Sequence, residues 1–124
     1  MTHTVLIADD KPLIRQGLSE LFQMEEDFEV CGDAENGREA VEKARELHPD
    51  LILLDLSMPV MNGLEAARVL KRVMPEVPVI MFSAYGDSFE NEARSAGVSA
   101  LVSKSEDMSV LLGKARNLVY PDSP

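Results

Sequence analysis

The sequence is short of everything that would mark a secreted, disulfide-built or membrane-spanning protein. Cysteine occurs once, at Cys31, so no intrachain disulfide and no multi-thiolate metal centre can form. Standing in an alternating apolar segment, Cys31 reads as a buried structural thiol. No apolar run approaches the roughly 18 residues of a membrane span. The start also lacks the basic-then-apolar layout of a secretory signal. A cytoplasmic protein with no membrane partner is the default expectation. Bases are few: 12 Lys and Arg stand against 22 Asp and Glu, a formal charge of −10. Such a surface repels phosphate backbones, so direct nucleic-acid binding by this chain is not expected. There is no internal repeat, no low-complexity stretch and no linker before the last few residues.

What is present is an alternation. The 124 residues, 45% hydrophobic and 27% charged, suit one domain with a sizeable core. Continuously apolar runs at Val5-Ala8, Leu51-Leu54 and Val79-Phe82 suit strands buried on both faces of a parallel sheet. Phe28-Cys31 alternates and Ala100-Val102 is short and flanked by serines, so both read as edge strands. Helical stripes lie between them. The first contains Leu13, Ile14, Gly17, Leu18, Leu21 and Phe22. The next are Ala40, Val41, Ala44 and Leu47, then Ala66, Ala67, Leu70 and Val73. The last is Leu111, Leu112, Ala115, Leu118 and Val119. A fourth helix, about Asp87 to Ala96, offers only Phe89, Ala93 and Ala96 to a core and is expected to be the loosest. Pro121 ends the pattern. The sum is a (βα)₅ α/β chain, and right-handed crossovers place such a sheet between two helical layers.

Ligands in open α/β sheets bind beyond the carboxyl ends of the strands, so the residues there carry the functional argument. The first strand ends in Asp9-Asp10, the third in Asp55, the fourth in Ser83, and the fifth runs into Lys104. Each alone has a plain structural reading: a helix cap, a turn, a satisfied hydroxyl, a solvated charge. Together they converge. Three carboxylates at one end of a sheet repel one another, and a hard divalent cation such as Mg²⁺ relieves that repulsion at an oxygen-rich, partly hydrated site. A carboxylate can attack phosphorus to form an acyl phosphate. The added negative charge then needs Mg²⁺ and Lys104 to neutralise it. Ser83 can donate to a phosphoryl oxygen only once that oxygen has arrived, which is the differential contact a switch requires. His3, at the start, and His48, ending a helix before Pro49, do not come near the acids in this layout.

At these residues the sequence resembles the receiver domain of bacterial two-component response regulators. The likeness covers about residues 3 to 119. Its most specific part is LILLDLSMPVMNG, residues 51 to 63, joined to Asp9-Asp10, Ser83-Ala84 and Lys104 in the family's order and spacing. The resemblance implies a flavodoxin-like five-stranded parallel sheet of order 2-1-3-4-5. It implies Asp55 as phosphoacceptor, Asp10 as a direct Mg²⁺ ligand, Asp9 as a ligand through water, and the backbone carbonyl of Ser57 completing the protein's share of the shell. Ser83 takes the switch-hydroxyl role and Lys104 the phosphate-binding role. The donor would be a phosphohistidine on a sensor histidine kinase or histidine phosphotransfer protein. Such a chain catalyses only its own phosphorylation and autodephosphorylation and is not otherwise an enzyme. Residues 1–120 are expected to form the receiver domain, with 121–124 a C-terminal tail or the start of a linker. The signal would pass to a downstream protein target or to an output domain beyond this chain. The family commonly dimerises through a face that here comprises Asp87-Ala96, Ala100-Val102 and Ser109-Val119.

Two departures stand out. Leu101 occupies a position where the family often has Tyr or Phe, so the aromatic part of the switch is absent or replaced by something subtler. Ser105 follows the lysine where proline is common, and a trans or visibly strained bond is expected there. Tyr85 and Ser57 fall where the family tunes autodephosphorylation. The rivals fare worse. An aspartyl-phosphate phosphatase needs a second Asp two residues after the nucleophile, and Ser57 stands there. A flavin carrier of this fold needs a glycine- and hydroxyl-rich loop where Asp9-Asp10-Lys11-Pro12 would repel a phosphate. The remaining alternative is a degenerate receiver acting as a phosphorylation-independent interaction module, although the phosphoacceptor and metal acids are kept.

Overall fold

A computed structural model describes residues 2–85 and 88–120. The expected start of the fourth helix at Asp87 and the tail at 121–124 lie outside them. Ten elements alternate: β1 (His3–Ala8), α1 (Pro12–Gln23), β2 (Phe28–Ala34), α2 (Gly37–Leu47), β3 (Leu51–Asp55), α3 (Gly63–Val73), β4 (Val79–Ser83), α4 (Glu90–Ser95), β5 (Ala100–Ser103) and α5 (Met108–Val119). The strands form one parallel sheet of order β2-β1-β3-β4-β5. This is the flavodoxin-like order, with β2 and β5 at the edges as their alternation and length suggested.

The apolar runs work as two-faced strands. Every residue of β3 and β4 is buried. Leu6, Ala8, Ile52, Leu54 and Met81 turn to one face, against Ala40, Ala44, Ala66, Leu70 and Ala93. Val5, Ile7, Leu51, Leu53, Ile80 and Phe82 turn to the other, against Leu18, Phe22, Leu111 and Ala115. The helices begin where side chains can cap them. Asn36 accepts from the Glu39 amide at 2.8 Å. At α3, Asn62 accepts from the Glu65 amide while Glu65 bonds back to the Asn62 amide, a reciprocal cap that satisfies two otherwise unpaired donors. Pro12 opens α1, where a missing N–H costs nothing.

The helical stripes were wider in sequence than in space. Leu13 is 82% exposed, and Val73 and Leu47 also reach solvent. Met74, just past the end of α3, takes the buried place expected of Val73. β2 is longer than the alternating segment Phe28–Cys31, because its register against β1 shifts between Val5 and Leu6 and the strand continues to Ala34. Cys31 is half-buried, its thiol 3.5 Å from the Val5 carbonyl, and burial pushes its pKa up. An unreactive thiol follows. His3 is ordered in β1, with Tyr120 edge-on to its ring at 4.6 Å. His48 caps α2 in the left-handed region (φ 50°), its amide donating to Ala44. The fourth helix is the shortest, with Ala93 and Ala96 buried and Phe89 half-buried.

Candidate functional site

β1, β3, β4 and β5 all run in one direction, so their carboxyl ends meet at one rim of the sheet. Asp9 follows directly on β1, Asp55 and Ser83 are the last residues of β3 and β4, and Lys104 follows β5. Extended β3 carries Asp55 deep into the rim: its side chain is 3% exposed, and Asp9 and Ser83 are fully buried. Burying charges without partners is costly, and the rim answers with pairing. Carboxylate oxygens of Asp9, Asp10 and Asp55 lie within 4.8 Å of one another. The Lys104 ammonium stands 3.2 Å from Asp9 Oδ2 and 3.0 Å from Asp55 Oδ1, with its charge 5.7 Å from the centre of the Phe82 ring. Asp10, by contrast, is exposed.

These groups shift one another. Burial pushes the Asp55 carboxyl up more than the Lys104 hydrogen bond pulls it down, and the neighbouring Asp9 charge adds to the rise. Burial alone would lower Lys104. The hydrogen bond and charge of Asp55, then Asp9, outweigh it and hold the lysine above its usual value. One oxygen stands apart. Asp55 Oδ2 is buried and has no hydrogen-bond partner among the described residues, a condition that in a folded protein calls for an explanation such as an ion or a chemical role.

Ser83 Oγ accepts the Tyr85 amide at 3.0 Å. That leaves the hydroxyl proton free to turn elsewhere. Beyond the acids, a cleft of about 550 Å³ is lined by Asp10, Ser57, Met58, Asn62, Tyr85 and Phe89, among others. Tyr85 is 55% exposed and packs edge-on to Phe89, ring centres 5.7 Å apart. Leu101 is half-buried against the α2, α3 and α4 side of the sheet, and its carbonyl accepts from Lys114. No cis peptide bond occurs among the described residues, so the Lys104–Ser105 bond is trans. Ser105 is held instead by a turn in which its amide donates to Ser103 Oγ.

The floor of the site depends on close backbone approaches that the sequence does not announce, although Gly63 and Val60 lie within the 51–63 segment. A Cβ on Gly63 would lie 2.3 Å from the Asp55 carbonyl oxygen, and one on Gly37 would lie 2.2 Å from that of Met61. The Asp55 loop is thus pinned against two helix N-termini at backbone contact. Val60 in that loop has φ of 68°, a left-handed conformation that costs an L-residue about 1–2 kcal/mol, most uncomfortably when β-branched. Replacing Val60 by glycine is expected to raise stability by roughly 0.5–1 kcal/mol, after allowing for glycine's freedom in the unfolded chain. Denaturant midpoints would measure it, and a loss of stability would refute the strain.

The response regulator receiver domain profile matches residues 5–116. Among curated proteins, the transcriptional regulatory protein LnrK of Bacillus subtilis is 42% identical over 85% of this chain and 47% of its own length. Response regulator protein VraR of Staphylococcus aureus is 40% identical over 84% of this chain and half of its own length. The chain therefore spans about half the length of these relatives. Among solved structures, the response regulator domain of Thermotoga maritima CheB superposes with a TM-score of 0.90 at 33% identity, covering 96% of this chain and 97% of that one. A CheX–CheY–BeF3–Mg complex from Borrelia burgdorferi matches with a TM-score of 0.86 at 27% identity, over 94% and 88%.

Proposed function

Because the chain belongs to the response regulator receiver domain family, we propose that it is a phosphorylation switch in which Asp55 accepts a phosphoryl group from a phosphohistidine. The observation that carries this reading is the divided Asp55 carboxylate: Oδ1 is held by Lys104, while Oδ2 is buried and unpartnered. An oxygen in that condition is positioned and poorly solvated, as a nucleophile should be. In the transfer, the donor's N–P bond breaks as the Asp55 O–P bond forms, and the departing imidazole nitrogen takes a proton.

The donor set fits Mg²⁺. Three hard carboxylates drawn this close, with Asp55 Oδ2 lacking a partner among the described residues, suit a small oxygen-seeking cation. Asp10 and Asp55 would hold it directly, Asp9 through water, and Ser57 by its backbone carbonyl. The bound ion would supply charge neutralisation for the phosphoryl oxygens. Lys104 would move from the two aspartates to a phosphoryl oxygen, and the Ser83 hydroxyl would turn to donate to another. The relative recorded with beryllofluoride and magnesium supports the pairing of these two ligands here.

Incubation with acetyl phosphate and Mg²⁺, followed by intact-mass measurement, tests the reading. A phosphoryl adduct that chelation prevents is expected, and its absence would favour a phosphorylation-independent interaction module. The upstream partner would be a sensor histidine kinase or histidine phosphotransfer protein in the cytoplasm. The downstream one would be a protein target or an output domain in a longer protein, since the relatives extend further. A homodimer through α4, β5 and α5 is the form of output to test first, by sedimentation with and without beryllofluoride.

Tyr85 sets the lifetime. It lines the cleft with Asp10 and Ser57, where its bulk would hinder water from reaching an acyl phosphate. Tyr85→Ala is therefore expected to lose phosphate several-fold faster than the wild type. Equal decay of the two adducts, followed by mass, would remove the ring from the account.

A further inference from the structure

Asp9 is tied at every polar atom. Its amide donates to the Ala34 carbonyl at 3.0 Å, extending the β1–β2 ladder by one bond. Its Oδ1 accepts the Lys11 amide at 2.9 Å and its Oδ2 accepts Lys104 at 3.2 Å. The last atom, the backbone carbonyl oxygen, accepts from Arg15 Nη1 at 2.7 Å. That carbonyl belongs to the peptide joining Asp9 to Asp10, so its plane sets the direction in which the Asp10 chain leaves the rim.

Arg15 has two anchors. While Nη1 holds the Asp9 carbonyl, Nε lies 3.0 Å from Asp33 Oδ2, on β2. The Arg15 side chain is only 16% exposed, and a planar guanidinium gripping two acceptors on different elements has little freedom left. Asp33 is itself steadied, since Lys43 of α2 donates to its backbone carbonyl. A chain of contacts thus runs from α2 through the end of β2 and α1 to the peptide between the two acids. Asp10 needs this support most. It is the exposed member of the acid group, and its only charged partner within 4 Å among the described residues is the solvent-facing Lys11, at 3.5 Å.

We infer that Arg15 is a positioning residue for the cation site: by clamping the Asp9–Asp10 peptide against Asp33, it keeps the Asp10 carboxylate beside those of Asp9 and Asp55, where a cation would be held. The inference rests on the reading of the acid group as an Mg²⁺ site. It adds a residue that touches neither cation nor phosphoryl group and acts through the backbone. Groups that orient ligands in this way commonly govern affinity as strongly as the ligands themselves.

The test compares the wild type with Arg15→Ala, Arg15→Lys and Asp33→Ala. Two quantities are read: the Mg²⁺ dissociation constant by calorimetry, and, in metal-free protein, the hydrogen-exchange rate of the Asp9 amide, whose bond to Ala34 closes the ladder beside the clamped carbonyl. Arg15→Ala is expected to weaken Mg²⁺ binding roughly tenfold and to speed Asp9 exchange. At saturating Mg²⁺, its phosphorylation rate should return to the wild-type value. Arg15→Lys, which can reach one acceptor at a time, should fall between the two. Asp33→Ala, which frees one end of the guanidinium, should weaken binding by a smaller factor. A lower melting temperature with Mg²⁺ affinity and Asp9 exchange both unchanged would mean a purely structural role and overturn the inference. If Arg15→Ala does not fold, Asp33→Ala decides on the same criteria. If the wild type binds no Mg²⁺, the site reading fails by itself, and Asp9 exchange still decides whether Arg15 holds the peptide.

Discussion

Asp55→Asn is expected to abolish phosphoryl incorporation and, at the same time, to make the metal-free protein harder to unfold at neutral pH. The first effect removes the nucleophile. The second follows from the direction of the Asp55 shift. Burial raises its pKa in the folded state, against the pull of Lys104, so the folded chain binds this proton more tightly than the unfolded chain does. Stability then falls as pH rises from the ordinary carboxylate value through the folded one, and the full deficit is present above it. Asparagine cannot ionise and stays level across that window, while Lys104 keeps its contact with Asp9 at 3.2 Å. The advantage of Asp55→Asn should therefore be largest near neutrality and close as the pH falls toward 4. Denaturant unfolding across a pH series without metal measures it. An asparagine variant less stable than wild type at pH 7 would contradict the charge balance drawn for the rim. Added Mg²⁺ should narrow the gap by stabilising the wild type alone.

Gly63→Ala should produce a large loss of stability, about 3 kcal/mol, at the upper end of what overpacking costs. The new methyl group would meet the Asp55 carbonyl oxygen at 2.3 Å, the Leu56 Cα at 3.0 Å and the Asp55 carbonyl carbon at 3.1 Å. All three are backbone atoms, with no flexible side chain to yield. Either α3 retreats or the end of β3 moves, and the second displaces the phosphoacceptor. Protein that still folds should take up phosphate at least tenfold more slowly, since small misplacements of reacting groups cost about that much or more. Thermal melts and phosphorylation time courses read the two effects separately, and a variant normal in both would mean that the helix–loop contact is slack.

Much of this was legible because the strongest physical constraints write directly into sequence. Strands buried on both faces must be apolar throughout, and Leu51–Leu54 and Val79–Phe82 were read on that ground. Charges at strand ends have nowhere to hide, so Asp9, Asp55 and Lys104 could be brought together before any coordinates, and the fold does place them within one ion-pair network. What escaped was whatever depends on where one element leans on another. Leu13 fits the helical stripe by spacing yet faces solvent in the first turn of α1. Arg15 is an ordinary arginine on an amphipathic helix until β2 puts Asp33 beside it. Gly37 and Gly63 mark close backbone approach only once the opposing loop is known. Alternation breaks at Cys31, so the sequence marks the second strand as ending there, short of Ala34.

The register slip in β2 has a consequence for the cleft. Val5 pairs with Val30 but Leu6 with Gly32, so the strand gains one residue and its facing reverses beyond Cys31. By simple alternation Ala34 would share a side with Phe28 and Val30. Instead it joins the α2 side, and Asp33 turns toward α1, within reach of Arg15. Indel tolerance on this edge is therefore lopsided. Dropping the extra residue at the slip would restore simple alternation and leave Asp33 facing α1, whereas adding another there would turn Asp33 away from Arg15, so this outer strand bears a loss at that point better than a gain.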